Sequence, residues 1–318
     1  MNKPVRWGIL GYARIARTQL IPALLHAKNA IPYAIASRSA QKLEEAIRDF
    51  GFSKAYESYD ALLQDPEVDA VYIPLPNSFH KEWTLKAARA GKHVLCEKPM
   101  ALSGADCQEM IQVCRECDVK LMEAFMYRLS PRIRKLNELL DSGAIGQIRN
   151  IQSCFRFILS NWDNIKLKPD LGGGSLWDVG CYPINLIGMI LKQAPISYSA
   201  QKVMQNGVDI GFSAILKYPG GVLCTVNSGF DSHSAFLTEI NGTEGSLLIP
   251  DTFQGTDAPM LLLQGDQTTK IPVESCERYV LEVEEFSDAI LTNREPILSL
   301  EETVRNTELM RELLECAE

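Results

Sequence analysis

The feature that most constrains this chain is an alternation in its first third. The apolar run Val5–Leu10 enters Gly11-Tyr12-Ala13-Arg14-Ile15-Ala16, and a helical pattern follows. Further short apolar runs at residues 33–36, 70–73, 93–96 and 120–124 alternate with helical stretches at 40–50, 83–90 and 104–116. Repeated strand–helix–strand units with short links fold as a parallel, doubly wound sheet.

After Phe125 the pattern changes. Residues 131–140 read as a helix, 148–158 as a long strand, 161–174 as a loop rich in Asn, Lys and Gly, and 175–191 as a helix. From 196 to 273 the chain is nearly all strand, with turn signals such as Pro219-Gly220-Gly221, and helices at 278–291 and 300–316 close it. At about 150 residues per domain, the 318 residues fit two domains. The expected class is α/β, with a doubly wound domain over 1–124 and an α+β domain over 125–318.

Composition excludes several functions. Lys+Arg 32 against Asp+Glu 40 gives a net charge of -8, without a long basic run. Nucleic acid and anionic membranes are therefore not expected partners. No apolar run approaches the roughly 18–20 residues of a membrane span. Residues 7–13 are too short an apolar stretch for a signal peptide. Nine scattered cysteines, an odd number, fit a reducing compartment, and the cytoplasm is the expected location. Cys114 and Cys117 form a C-x-x-C without a second pair or a nearby His, so no metal is expected.

Gly11-x-Ala13-x-x-Ala16, directly after a strand and opening a helix, is the context of a dinucleotide fingerprint. Gly11 permits the tight turn, and the N–H groups around Tyr12, Ala13, Arg14 and Ile15 face the pyrophosphate. The second strand ends in Ser37 and Arg38, with Lys42 one helical turn on. NAD would want an acidic residue there for its ribose 2′-OH, whereas a hydroxyl and cations suit a 2′-phosphate. NADP(H) is the expected cofactor, with NAD(H) the alternative. The third strand runs into Pro74-Leu75-Pro76-Asn77-Ser78-Phe79-His80 at the ligand crevice of such a fold. Asn77 could equally cap the next helix, and His80 could be an ordinary helix residue.

The fourth strand ends Cys96-Glu97-Lys98-Pro99, placing charge at the mouth of an apolar strand. Later, Gly172-Gly173-Gly174-Ser175-Leu176-Trp177-Asp178-Val179-Gly180-Cys181-Tyr182 sets Asp178 and Tyr182 four residues apart on one helix face. Tyr as acid/base, Lys lowering its pKa and Asp as orienter are what a carbonyl reductase requires. A capped helix with a buried Tyr is the plainer alternative.

These motifs, with Pro76-Asn77-x-x-His80, Glu123-Ala124-Phe125-Met126-Tyr127-Arg128 and Tyr279-x-x-Glu282-Val283-x-x-Phe286, resemble one family over nearly the whole chain. It is the glucose-fructose oxidoreductase / inositol dehydrogenase / MocA family. Tyr182 and the residues 122–128 are most similar to its branch of NADP-dependent xylose dehydrogenase and dimeric dihydrodiol dehydrogenase. The resemblance implies a Rossmann domain followed by an open-faced, mostly antiparallel sheet domain. It also implies hydride transfer between NADP(H) and a carbinol or carbonyl carbon of a sugar, cyclic polyol or dihydrodiol. Lys98 and Tyr182 become the catalytic pair, supported by Asp178, and Glu97, Lys98 and Arg128 join the cofactor-binding residues. Ala13 in the fingerprint and Lys166, where an Arg is more usual, depart from the pattern. A non-catalytic NAD(P)-binding regulator of the same fold is the second reading, and a redox-neutral glycosidase using NAD a third. A single layer of strands leaves an apolar face to cover, so a homodimer or a dimer of dimers is expected.

Overall fold

A computed structural model of the chain describes residues 3–318. The chain divides into two compact units. One runs to Met126 and includes Glu277–Thr303; the other comprises Tyr127–Cys276 and Val304–Glu318.

The first unit alternates β1 (Val5–Leu10), α1 (Ile21–His26), β2 (Ala30–Ala36), α2 (Ala40–Phe50), β3 (Lys54–Tyr56), α3 (Tyr59–Leu63), β4 (Ala70–Ile73), α4 (His80–Arg89), β5 (His93–Glu97), α5 (Gly104–Glu116) and β6 (Leu121–Ala124). The strands form one parallel sheet in the order β3-β2-β1-β4-β5-β6. Both faces are covered, which is why β4 is buried at every residue and reads as an unbroken apolar run. The order reverses direction between β1 and β4. In such a sheet the ligand crevice opens there, beyond the carboxyl ends of the strands. Gly11, Ser37, Pro74 and Lys98 each follow the last residue of a strand.

The second unit begins with α6 (Pro131–Asp141), β7 (Ile148–Ile158) and α7 (Cys181–Leu191). It continues through β8 (Ser197–Gln205), β9 (Val208–Lys217), β10 (Leu223–Gly229), β11 (Asp231–Ala235), β12 (Thr238–Gly242), β13 (Ser246–Ile249), β14 (Met260–Gln264) and β15 (Gln267–Ile271). Its sheet has the order β15-β14-β13-β12-β7-β10-β9-β8, with β11 also paired to β7. The β7–β10 pair is parallel and the remaining pairs are antiparallel. One face packs against α7. Phe212, Ala214 and Leu216 of β9 turn inward, while Ser213, Ile215 and Lys217 turn outward, the alternation of a sheet with one covered face.

The helices that close the chain divide differently from the sequence boundary. The split at 124/125 put residues 277–303 with the second domain, but α8 (Arg278–Leu291) packs on the first unit. Trp7 Nε1 donates to Ser287 Oγ at 3.1 Å, and the Trp7 ring meets Phe286 at 5.7 Å. An amphipathic pattern announces that something covers the apolar face, not which element does so. Helix α9 (Leu300–Cys316) starts in the first unit and ends in the second. Among the described residues, no helix is long and apolar enough to cross a membrane.

Candidate functional site

Strand β1 runs into Gly11, whose φ is +108°. A side chain there would be strained, and its Cβ would lie 3.3 Å from both Leu75 Cδ2 and Tyr59 Oη. The next helix begins at Arg14 and passes through a π turn, Ala16–Leu20, into α1. Among the described residues no side chain caps that turn, whereas Ser39, Ser58 and Ser103 cap α2, α3 and α5. The first N–H groups of a helix point toward whatever lies before it, and an anion suits them. Ala13 and Ile15 are half-buried in this turn and Arg14 is exposed. Tyr12 turns its ring onto Phe50 at 6.3 Å, and its buried Oη finds no partner. Its backbone, not its phenol, belongs to the turn.

At the end of β2, Ser37 Oγ accepts from Ser39 N at 3.2 Å, and Ser39 rather than Ser37 caps α2. Arg38 is left exposed, with its charge near the hydroxyl of Tyr59, the residue that also faces Gly11. Burial pushes the Tyr59 phenol up, and Arg38 opposes it. The Tyr59 ring meets Trp83 edge-on at 4.9 Å, and Lys86 Nζ lies 4.1 Å from the Trp83 centroid. Lys42 is exposed one turn into α2. Tyr59 and Trp83 escaped the sequence reading because no motif marks them.

Beyond β5, three successive backbone groups are each held by a different side chain. Lys98 N donates to Glu97 Oε2 at 3.2 Å, Pro99 O lies 2.8 Å from His80 Nδ1, and Met100 N donates to Glu123 Oε1 at 2.9 Å. Glu123 Oε2 accepts in turn from Thr303 Oγ1 at 2.8 Å. Tyr72 Oη donates to Glu97 Oε1. Lys98 thus sits on a braced loop at the carboxyl edge of the sheet.

His80 was expected among the cofactor-binding residues. It is wholly buried, with Nε2 also 2.8 Å from Leu75 O, so it ties the Leu75 loop to the Pro99 loop. Burial first, and also the charge of Lys98, hold its pKa below the ordinary value against the pull of the two carbonyls. Pro74 is buried, Leu75 and Asn77 are half-buried, and Asn77 opens the turn Asn77–Phe79.

In the second unit, Gly174 has φ +123°, and a Cβ on it would collide with Asp209 Oδ1. Asp209 Oδ2 accepts from Ser175 Oγ at 2.7 Å and from Leu176 N at 2.8 Å. A β9 carboxyl therefore caps the π turn Leu176–Gly180 that leads into α7. Asp209→Ala should cost about 1–3 kcal/mol, the penalty for unsatisfied buried donors; urea unfolding measures it, and an unchanged midpoint would contradict the cap.

Asp178 pairs with Lys166 Nζ at 2.5 Å, and Lys166 lies over the Phe157 ring. Tyr182, 5% exposed, packs against Phe155 at 5.0 Å, Phe253 at 5.4 Å and Tyr127 at 5.8 Å. Asn185, one turn further along α7, accepts from Tyr127 Oη at 2.6 Å and from Arg128 Nη1 at 3.0 Å. Arg128 is thereby tied to the helix that carries Tyr182.

The Gfo/Idh/MocA family, described as oxidoreductases with an NAD-binding Rossmann fold, matches residues 5–125, and its C-terminal domain matches residues 133–248. The chain belongs to the Gfo/Idh/MocA oxidoreductase family. This Gfo/Idh/MocA protein is 35% identical over 317 residues to D-xylose 1-dehydrogenase (NADP(+)) 2 of Haloferax volcanii, covering 98% of this chain and 97% of the relative. It is 34% identical over 267 residues to trans-1,2-dihydrobenzene-1,2-diol dehydrogenase of Mus musculus, covering 83% and 79%. The crystal structure of a 3-ketoreductase from Actinomadura kijaniata in complex with NADP and TDP-benzene matches it with a TM-score of 0.94 at 30% identity. That match covers 99% of this chain and 98% of the other.

Proposed function

We propose that this oxidoreductase interconverts a carbinol and a carbonyl on a sugar, cyclic polyol or dihydrodiol with NADP(H), using Tyr182 as acid/base assisted by Lys98 and Asp178. The observation that carries the reading is the braced Lys98 loop, at the same sheet edge as Gly11 and the helix start that follows it. Relatives named for NADP, xylose and a dihydrodiol support the choice of cofactor and substrate class.

The residues suit the dinucleotide. Gly11 and the turn through Ile15 would hold the pyrophosphate, and Ser37, Arg38 and Lys42 the 2′-phosphate. Pro74, Leu75 and Asn77 would line the crevice, with Glu97 and Lys98 at its floor. When bound, the nicotinamide supplies the hydride acceptor or donor.

The proton belongs to the chain. Tyr182 Oη gives it to the carbonyl oxygen in reduction and takes it back in oxidation. The Lys98 ammonium favours the phenolate and the developing alkoxide. Asp178, held by Lys166, supports the first turn of the helix that carries Tyr182. The aromatic rings around Tyr182 keep water from its edge.

A panel of aldoses, polyols and dihydrodiols followed by NADPH absorbance tests the proposal. Turnover of at least one substrate is expected. Tight NADP(H) binding with no turnover across the panel would favour the regulator instead.

Assembly as at least a homodimer goes with this reading. Ile215 and Leu223 lie on the outward face of β9 and β10, 55% and 45% exposed. A second copy would cover such a face. Light scattering at micromolar concentration should report a dimer or a dimer of dimers; a monomer would remove the inference.

A further inference from the structure

Glu282 lies within α8 and is only 1% exposed, yet neither of its carboxyl oxygens has a hydrogen-bond partner. The titratable groups around it are Glu97 at the end of β5, Tyr72 of β4, and Arg278 and Tyr279 of its own helix. Glu97 is much the better placed to carry charge. It is half-buried rather than buried, and its two oxygens accept from Tyr72 Oη and Lys98 N. A carboxyl kept from water with no donor holds its proton more readily than a neighbouring one that accepts two hydrogen bonds.

We propose that Glu282 is a neutral carboxylic acid that keeps the pair's proton, so that Glu97 remains the anion that positions Lys98. The functional half of this proposal rests on the role given to Lys98 above; the protonation half does not. Burial, and then the charge of Glu97, push Glu282 well above the carboxylate range, with Arg278 pulling the other way. A neutral acid has one O–H to donate, and Glu97 is the anion that can take it through one water. Glu282 is thus a positioning residue, acting on Lys98 through Glu97.

Glu282→Gln copies the neutral acid, and Glu282→Leu keeps the bulk without the donor. An unfolded Glu releases its proton near about pH 4.3, while the folded Glu282 keeps its own. The contribution of this one group to wild-type stability therefore falls as pH rises above that value, and Glu282→Gln has no such contribution to lose. The Tm difference in favour of Glu282→Gln should widen with pH over about pH 5 to 8. Infrared difference spectra at neutral pH should show a protonated-carboxyl C=O band in the wild type that the Gln variant lacks. A Tm difference independent of pH, or no such band, would overturn the proposal.

The kinetic arm reads the positioning role. Glu282→Gln should leave the pH profile of kcat/KM unmoved, while a folded Glu282→Leu should lose about tenfold and displace that profile. A shifted profile in Glu282→Gln, or a wild-type profile in Glu282→Leu, would contradict it. The Tm and infrared readouts need no substrate, so a failure of Lys98 as a catalytic group would leave them standing.

Discussion

Replacing Tyr182 with phenylalanine is expected to lower kcat by about 10²-fold or more, the range of lost acid–base catalysis. The substitution removes one oxygen from a ring that remains packed against Tyr127, Phe155 and Phe253, so the fold and the local volume are kept. Without the phenol, the alkoxide formed in reduction has no proton donor on that helix, and Lys98 alone must stabilise its charge. NADP(H) affinity should survive, because the fingerprint and Arg38 lie in the other unit. Steady-state kinetics on the best substrate of the panel, with a cofactor titration beside them, separate the two effects. Near-normal turnover would assign the proton to another residue.

Arg38→Ala is expected to weaken NADP(H) by about 1–3 kcal/mol and to leave NAD(H) nearly unchanged, since a charge-assisted contact to the 2′-phosphate is lost. The geometry favours so selective an effect. Arg38 is exposed, and Ser39 rather than Arg38 secures the start of α2. Removing it should therefore leave the helix intact. Fluorescence titration with both cofactors reads the difference, and equal losses for the two would sink the assignment of a 2′-phosphate site.

Much of this architecture is legible in the sequence because its signals are local. The parallel strands are buried on both faces and read as continuous apolar runs, so β1 and β4 appear at their observed bounds. Helices α2, α5 and α8 likewise show their 3.6-residue period and their ends. What the sequence hides is partnership across long separations. Nothing near Trp7 announces Ser287, and nothing near residues 174–176 announces Asp209 as their cap.

The candidate site divides in the same way. Gly11, Lys98 and Tyr182 stand in recognisable motifs, so their positions could be read directly. The braces behind them could not. His80 looked like a crevice residue because its motif lies in a crevice loop, but the structure turns it inward onto two carbonyls. Glu123 and Tyr72 look like ordinary strand residues until their partners, Met100 N and Glu97, come beside them. The two π turns, at Ala16–Leu20 and Leu176–Gly180, also escape a periodicity argument that assumes 3.6 residues throughout.

Hydride transfer itself is tested most directly by isotope. A substrate from the panel carrying deuterium on its reacting carbinol carbon is oxidised with NADP+, and the reduced cofactor is isolated and analysed by mass spectrometry and NMR. Direct transfer places the deuterium on C4 of the reduced nicotinamide. Deuterium released to water, or product formed without reduced cofactor, would contradict an oxidoreductase of this kind.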